Sequence, residues 1–175
     1  MRLPRILPVL VGLTAGTLPV HAQDQKPPLV TRDRVQLNLA GAEVVLEAAK
    51  KKAAAAGLKC NIAVVDDGGH LLAFARMDGA RPASAATALA KAVSAATFRQ
   101  ETGPLPARGE PDVVLSLSIQ NASGGKITAL KGGVPIVIGG QVVGAVGVGG
   151  GTGEQDAEVA GAGIRALLEA VGEKK

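Results

Sequence analysis

Apolar residues recur at four- and three-residue spacings through Val35, Leu39, Ala42, Leu46, Ala49 and Ala53. That spacing predicts one helix from about Thr31 to Ala56 with a single apolar stripe. Lys50-Lys51-Lys52 falls in its last turns, where cations favour the helix dipole, and Gly57 stops it. The pattern then changes period. Cys60 to Val65 reads as a strand, Asp66-Asp67-Gly68-Gly69 as a turn and His70 to Met77 as a second strand, together a hairpin. Asp78-Gly79 ends it, and Pro82 opens a second helix over Ala83 to Phe98. On that helix Ala85, Leu89, Ala92 and Ala96 form the expected buried face. Ser84, Thr87, Lys91 and Ser94 form a polar face, which is either solvated or the wall of a pocket with Lys91 as its charge.

A loop rich in proline and glycine follows from Thr102 to Asp112, then a short helix or turn over Val113 to Ile119 and another loop over Asn121 to Gly125. Ile127 to Leu130 reads as a third strand. Gly139-Gly140 between two apolar runs marks a second hairpin, because two-residue turns need positive φ. Its outgoing strand puts Val142, Gly144, Val146 and Val148 on one face and Val143, Ala145, Gly147 and Gly149 on the other. The second face is small, so a helix, another subunit or a flat ligand can approach the backbone. Thr152 with Gln155 forms a capping box, and the helix it opens is expected to bury Ala157, Ala160, Ile164, Leu167, Leu168 and Val171. Hairpins with segregated helices imply an α+β fold, an antiparallel sheet covered by helices.

Met1 to Ala22 reads as a secretory signal peptide, with Arg2 and Arg5 at its start, an apolar stretch to Val20 and Val20-His21-Ala22 at the cleavage site. Residues 23–30 form a polar linker and residues 31–172 one domain. The mature protein is expected to be periplasmic or secreted, with no membrane segment after cleavage near Ala22. Of the 175 residues only Phe74 and Phe98 are aromatic, so bases have almost nothing to stack on. Lys and Arg number 19 against 15 Asp and Glu. Losing Arg2 and Arg5 leaves about +2, too little to argue for nucleic acid or an anionic membrane.

The glycine run Gly147 to Gly151 before a helix invites a nucleotide reading, but no βαβ unit and no Walker lysine follow. Glu154 and Asp156 are read as compensating the helix dipole, and Glu154, Asp156 and Glu158 as a solvated acidic turn. The mature chain has one histidine, His70, one cysteine, Cys60, and one methionine, Met77. A zinc site with three or four nitrogen or sulfur ligands is excluded. Haem iron held by a usual side chain would need His70, Met77 or Cys60. Cys60 is expected to be a small buried residue at a strand start. Asp78 closes a turn and can pair with Arg76, or Arg76 and Lys91 can recognise an anion such as a propionate or a carboxylic acid.

Ile62 to Leu71, Phe74 to Ala80, Lys91-Ala92-x-Ser94-Ala95, Gly132-Gly133-Val134-Pro135-Ile136 and Gly144 to Gly150 with Gln155-Asp156 stand in one register. In order and spacing they resemble the GlcG/HbpS haem-binding family, which is also similar to the C-terminal domain of PduO-type proteins. The resemblance covers roughly residues 30 to 172. It implies a profilin-like antiparallel sheet of about five strands flanked by helices, homo-oligomers of two or more copies, and haem or a related tetrapyrrole as ligand. On a haem-binding reading the site is expected between the first hairpin, the second helix and the Gly132 to Gly151 hairpin. His70 would be the iron ligand, with Arg76, Met77, Asp78, Lys91, Gly133 and Pro135 around it. An alternative is a small-carboxylate enzyme or accessory protein, of the glycolate type, using Lys91, Arg76 and Asp78. A third reading is an assembly protein whose small-residue faces pack subunits.

Overall fold

The computed structural model describes residues 30, 34–106 and 109–173. The signal peptide, nearly all of the linker and the first residues of the expected domain lie outside them. The elements run α1 (Leu39–Ala55), β1 (Asn61–Asp66), β2 (Leu71–Arg76), α2 (Ala83–Phe98), α3 (Val113–Ala122), β3 (Gly133–Ile138), β4 (Gln141–Gly149) and α4 (Gly153–Val171). The four strands form one antiparallel sheet in the order β2-β1-β4-β3. The expected α+β fold is present, with four strands where about five were expected.

The missing strand is Ile127 to Leu130. Three of its four amides are taken by hydroxyl oxygens: Ile127 N donates to Ser123 Oγ, Thr128 N to Ser94 Oγ and Leu130 N to Thr128 Oγ1. An amide so engaged has no need of a neighbouring strand. The first helix also begins later than its periodicity predicts. Asn38 accepts a hydrogen bond from Gly41 N at 2.9 Å and caps the helix at Leu39, leaving Val35 on exposed chain before it. The capping box of α4 forms as expected, with Thr152 Oγ1 accepting from Gln155 N and Gln155 Oε1 accepting from Thr152 N.

Helices cover both faces of the sheet. On one side Val45, Leu46 and Ala49 of α1 and Val159, Ile164 and Leu167 of α4 pack on Ile62, Val64, Ile136, Val146 and Val148. On the other, Ala92, Ala95 and Ala96 of α2 pack on Ala63, Val65 and Ala145. Each buried Val, Leu or Ile contributes roughly 1.5–3 kcal/mol by leaving water, so the large-residue side supplies most of the hydrophobic stabilisation. A bulge sets Ile136 opposite Gly144 and Val137 opposite Val142. It turns Val143 to the large-residue side, a correction to strict alternation along β4. The small face that remains is Ala145, Gly147 and Gly149.

That small face decides how α2 sits. A Cβ on Gly147 would run into the carbonyl oxygen of Ala88 and the amide nitrogen of Ala92, and one on Gly149 would lie 2.7 Å from the Ser84 carbonyl oxygen. The helix therefore rests backbone to backbone on the strand. It turns inward the small residues that permit this, Ser84, Ala88, Ala92, Ser94, Ala95 and Ala96, together with Lys91, whose ammonium reaches Val148 and Asp156. Leu89, expected in the buried face, is at the surface. The polar face of α2 packs on the sheet because close approach selects for size ahead of hydropathy. Among the described residues no helix is long and apolar enough to cross a membrane.

Candidate functional site

Seven residues were expected to share a site, and the fold distributes them. His70 stands at the tip of the β1–β2 hairpin, while Arg76, Met77 and Asp78 close the far end of β2. Seven residues of extended chain separate His70 from Met77 by about 23 Å at roughly 3.3 Å per residue. Met77 packs against the large-residue core. Arg76 and Asp78 are exposed, and no ion pair joins them among the described residues. Gly133 begins β3, bonded to Thr102 through its amide (2.8 Å) and its carbonyl (3.0 Å). Pro135 lies half-buried on β3, an edge strand, where a missing N–H does no harm. Two of the seven, His70 and Lys91, line cavities, and the cavities are different ones.

The first cavity, about 430 Å³, lies between the hairpin tip and the outer face of α2. Leu71, Leu89 and Val93 form an apolar wall, with His70 and Lys126 at its margins. Asp66 organises the tip. Its Oδ1 accepts from the amides of Gly68 (2.9 Å) and His70 (2.8 Å), and both its oxygens lie 3.2 Å from His70 Nδ1. Burial pushes the Asp66 carboxyl up, but the hydrogen bonds from His70 and Gly68 outweigh it and hold the group below its ordinary value. A charged Asp66 favours a proton on Nδ1, so Nε2 is left as the lone-pair nitrogen of the neutral ring. The ring itself is 83% exposed.

The second cavity, about 520 Å³, opens where β4 passes into α4. Ser84, Thr87 and Lys91 of α2 form one wall, Gly149 to Gly151 another, and Arg81, Lys131 and Glu154 line it as well. Lys91 Nζ donates to Asp156 Oδ2 at 2.7 Å and to the Val148 carbonyl at 2.8 Å. Asp156 Oδ1 accepts from Gly151 N at 2.9 Å. Both side chains of this pair are almost wholly buried. Gly132, at φ +118°, passes directly over them: a Cβ there would lie 2.5 Å from Asp156 Cβ and 3.0 Å from Lys91 Nζ. Cys60 is buried close behind Gly150, and burial first, then the Asp156 charge, pushes its thiol above the ordinary value. It is a packing residue, as its position at the strand start implied.

Sequence reasoning found Lys91 through the polar face of α2 and missed its partner. Asp156 was assigned to the helix dipole, a role that also suits a first-turn carboxylate, and the 65-residue separation hid the pair. Arg81 and Lys131 carry no pattern that marks them. The described residues hold no cluster of three or more metal-ligating side chains, and Glu154 and Glu158 pair with Lys131 and Lys52 instead.

A family model described as "Haem degrading protein HbpS-like" matches residues 37–165. Protein GlcG of Escherichia coli K12 is 40% identical over 117 residues, 67% of this chain and 84% of the relative. The crystal structure of HbpS superposes with a TM-score of 0.69 at 28% identity, over 82% of this chain and 98% of that one. A crystal structure of a PduOC:heme complex superposes with a TM-score of 0.68 at 26% identity, over 75% of this chain and 95% of that one.

Proposed function

The chain belongs to the HbpS-like family, and from that premise we propose that it binds haem or a related tetrapyrrole in the groove beside His70. The observation that carries this reading is the Asp66–His70 pair at the mouth of an apolar cleft. A histidine oriented by a carboxylate, with its second nitrogen bare, is the arrangement that serves metal ligation. His70 Nε2 would hold the iron, Leu71, Leu89 and Val93 would take the face of the macrocycle, and Lys126 would meet a propionate. Bound haem would supply redox and ligand-exchange chemistry at the iron. The cleft volume falls within the ~300–1,000 Å³ of small-molecule sites. The solved heme complex of PduOC, on the same fold, supports the ligand class.

The same proposal extends to setting. The charged and apolar pattern of residues 1–22 supports export to the periplasm or the medium. Exposed Val113, Val114 and Leu117 on α3, a helix with no buried residue, support a homo-oligomer.

The test is a hemin titration of the purified protein followed at the Soret band. We expect saturable one-to-one binding, a changed Soret band and weaker binding in His70→Ala, and a loss of about 10–100-fold in Asp66→Asn, the usual cost of removing such a carboxylate. An unchanged spectrum and affinity in His70→Ala would remove the assignment.

A further inference from the structure

We propose that the Lys91 cavity is a second and separate binding site, for a small monocarboxylate that carries a hydroxyl group beside the carboxylate. Charge comes first. Lys91 is matched by Asp156 and Lys131 by Glu154, whereas Arg81 has no ion-pair partner among the described residues. Its guanidinium leaves the cavity one positive charge in excess, in the planar form that suits a carboxylate. Arg81 is also set in place: its carbonyl accepts from Asn61 Nδ2 at 2.9 Å and from Ser84 N at 3.1 Å.

Unused donors point the same way. Ser84 is only 8% exposed and lines the cavity, yet its hydroxyl makes no hydrogen bond to another described residue. An ammonium has three N–H bonds, and Lys91 commits two of them, to Asp156 and Val148. The third is left for a ligand. An open hydroxyl and an open N–H on one wall of the cavity present two donors to an acceptor there. Thr87 Oγ1 spends its proton on the Ser84 carbonyl at 3.0 Å and keeps lone pairs for a ligand hydroxyl.

The remaining lining restricts the class. Glu154 is exposed at the mouth and held below its ordinary value, first by its own backbone amide and then by Lys131, so it stays ionised. With Lys131 and Glu154 matched, the single excess positive charge of Arg81 balances a monoanion better than a dianion such as phosphate. The glycine wall brings backbone, without side chains, to the ligand. Lys91 already faces acceptors on two sides, which suits it to donate to the ligand. Neither Arg76 nor Asp78 lines this cavity, so a carboxylate is received by Arg81, Ser84 and Lys91.

Calorimetric titration of the full chain with lactate of either hand and with glycerate, at constant ionic strength, tests this. We expect saturable one-to-one binding of at least one of them. Arg81→Gln should weaken it by about tenfold or more, as the loss of a charge-assisted hydrogen bond does. Ser84→Ala should weaken it several-fold, with the melting temperature unchanged in both variants. His70→Ala should bind as the parent does, which separates this site from the haem groove whatever becomes of that reading. No saturable binding of any of the three acids overturns the proposal. So does affinity that survives both Arg81→Gln and Ser84→Ala, binding that His70→Ala abolishes, or tighter binding of inorganic phosphate.

Discussion

Lys91 and Asp156 join α2 to the first turn of α4 through one 2.7 Å contact, with both groups withdrawn from water. Each charge is tolerable there only because the other is present. Lys91→Met alone or Asp156→Leu alone should therefore destabilise the protein by about 3–5 kcal/mol, while the double variant should regain much of that loss. Denaturant unfolding of the four proteins measures it, and a double variant as weak as the two single losses added would show the residues act independently. The sequence made Lys91 visible because a lysine in a run of alanine and serine stands out at helical spacing. It left Asp156 ambiguous because a first-turn carboxylate already has a local explanation. His70 was legible from inventory, being the one histidine of residues 23–175. Its carboxylate partner lies four residues away across a tight turn, where reading strands and turns says little about side chains.

All eight elements were legible from the pattern, α1 with its start set eight residues too early. A ninth, the Ile127 to Leu130 strand, was expected and is absent. The pattern failed where size, capping or hydroxyl chemistry overrode hydropathy. The inward turn of α2 follows from Gly147 and Gly149, not from the apolar residues of the helix itself. Gly147→Ala should consequently be among the most damaging single-methyl additions in the molecule. Its Cβ meets backbone atoms of Ala88 and Ala92, which cannot rotate away. We expect a loss of about 1–3 kcal/mol or more, the usual range for overpacking, read as a lowered melting temperature with the α1 and α4 side intact. Ala145→Gly, on the same face, should cost less, since it adds nothing to the seam. The loss of the expected third strand has the same kind of origin. Ser94, Ser123 and Thr128 are ordinary polar residues in the sequence, and only the fold sets their oxygens against the amides of Ile127, Thr128 and Leu130.

At the scale of the molecule, helices on both faces of the sheet account for the core but leave α3 with none of its residues buried. Val114 and Leu117 are 74% and 60% exposed. If α3 joins copies of the chain, Leu117→Lys with Val114→Lys should shift the sedimentation velocity from oligomer to monomer while the circular dichroism of the folded chain persists. Unchanged sedimentation would take α3 out of the interface. The composition announced a small-residue molecule, but not that one helix would be left apolar and uncovered, because burial is a property of arrangement. The glycine-lined seam of α2 on β4 also governs how such a molecule can evolve. Backbone resting on backbone offers no side chain to vary, so substitutions that other cores absorb are barred at Gly147 and Gly149. Variation is left to the outer face of α2 and to Arg81, Lys126 and Lys131 at the cavity margins. A lineage built this way can exchange one ligand for another by successive single changes at the rim, each compatible with the last, without passing through an unfolded intermediate.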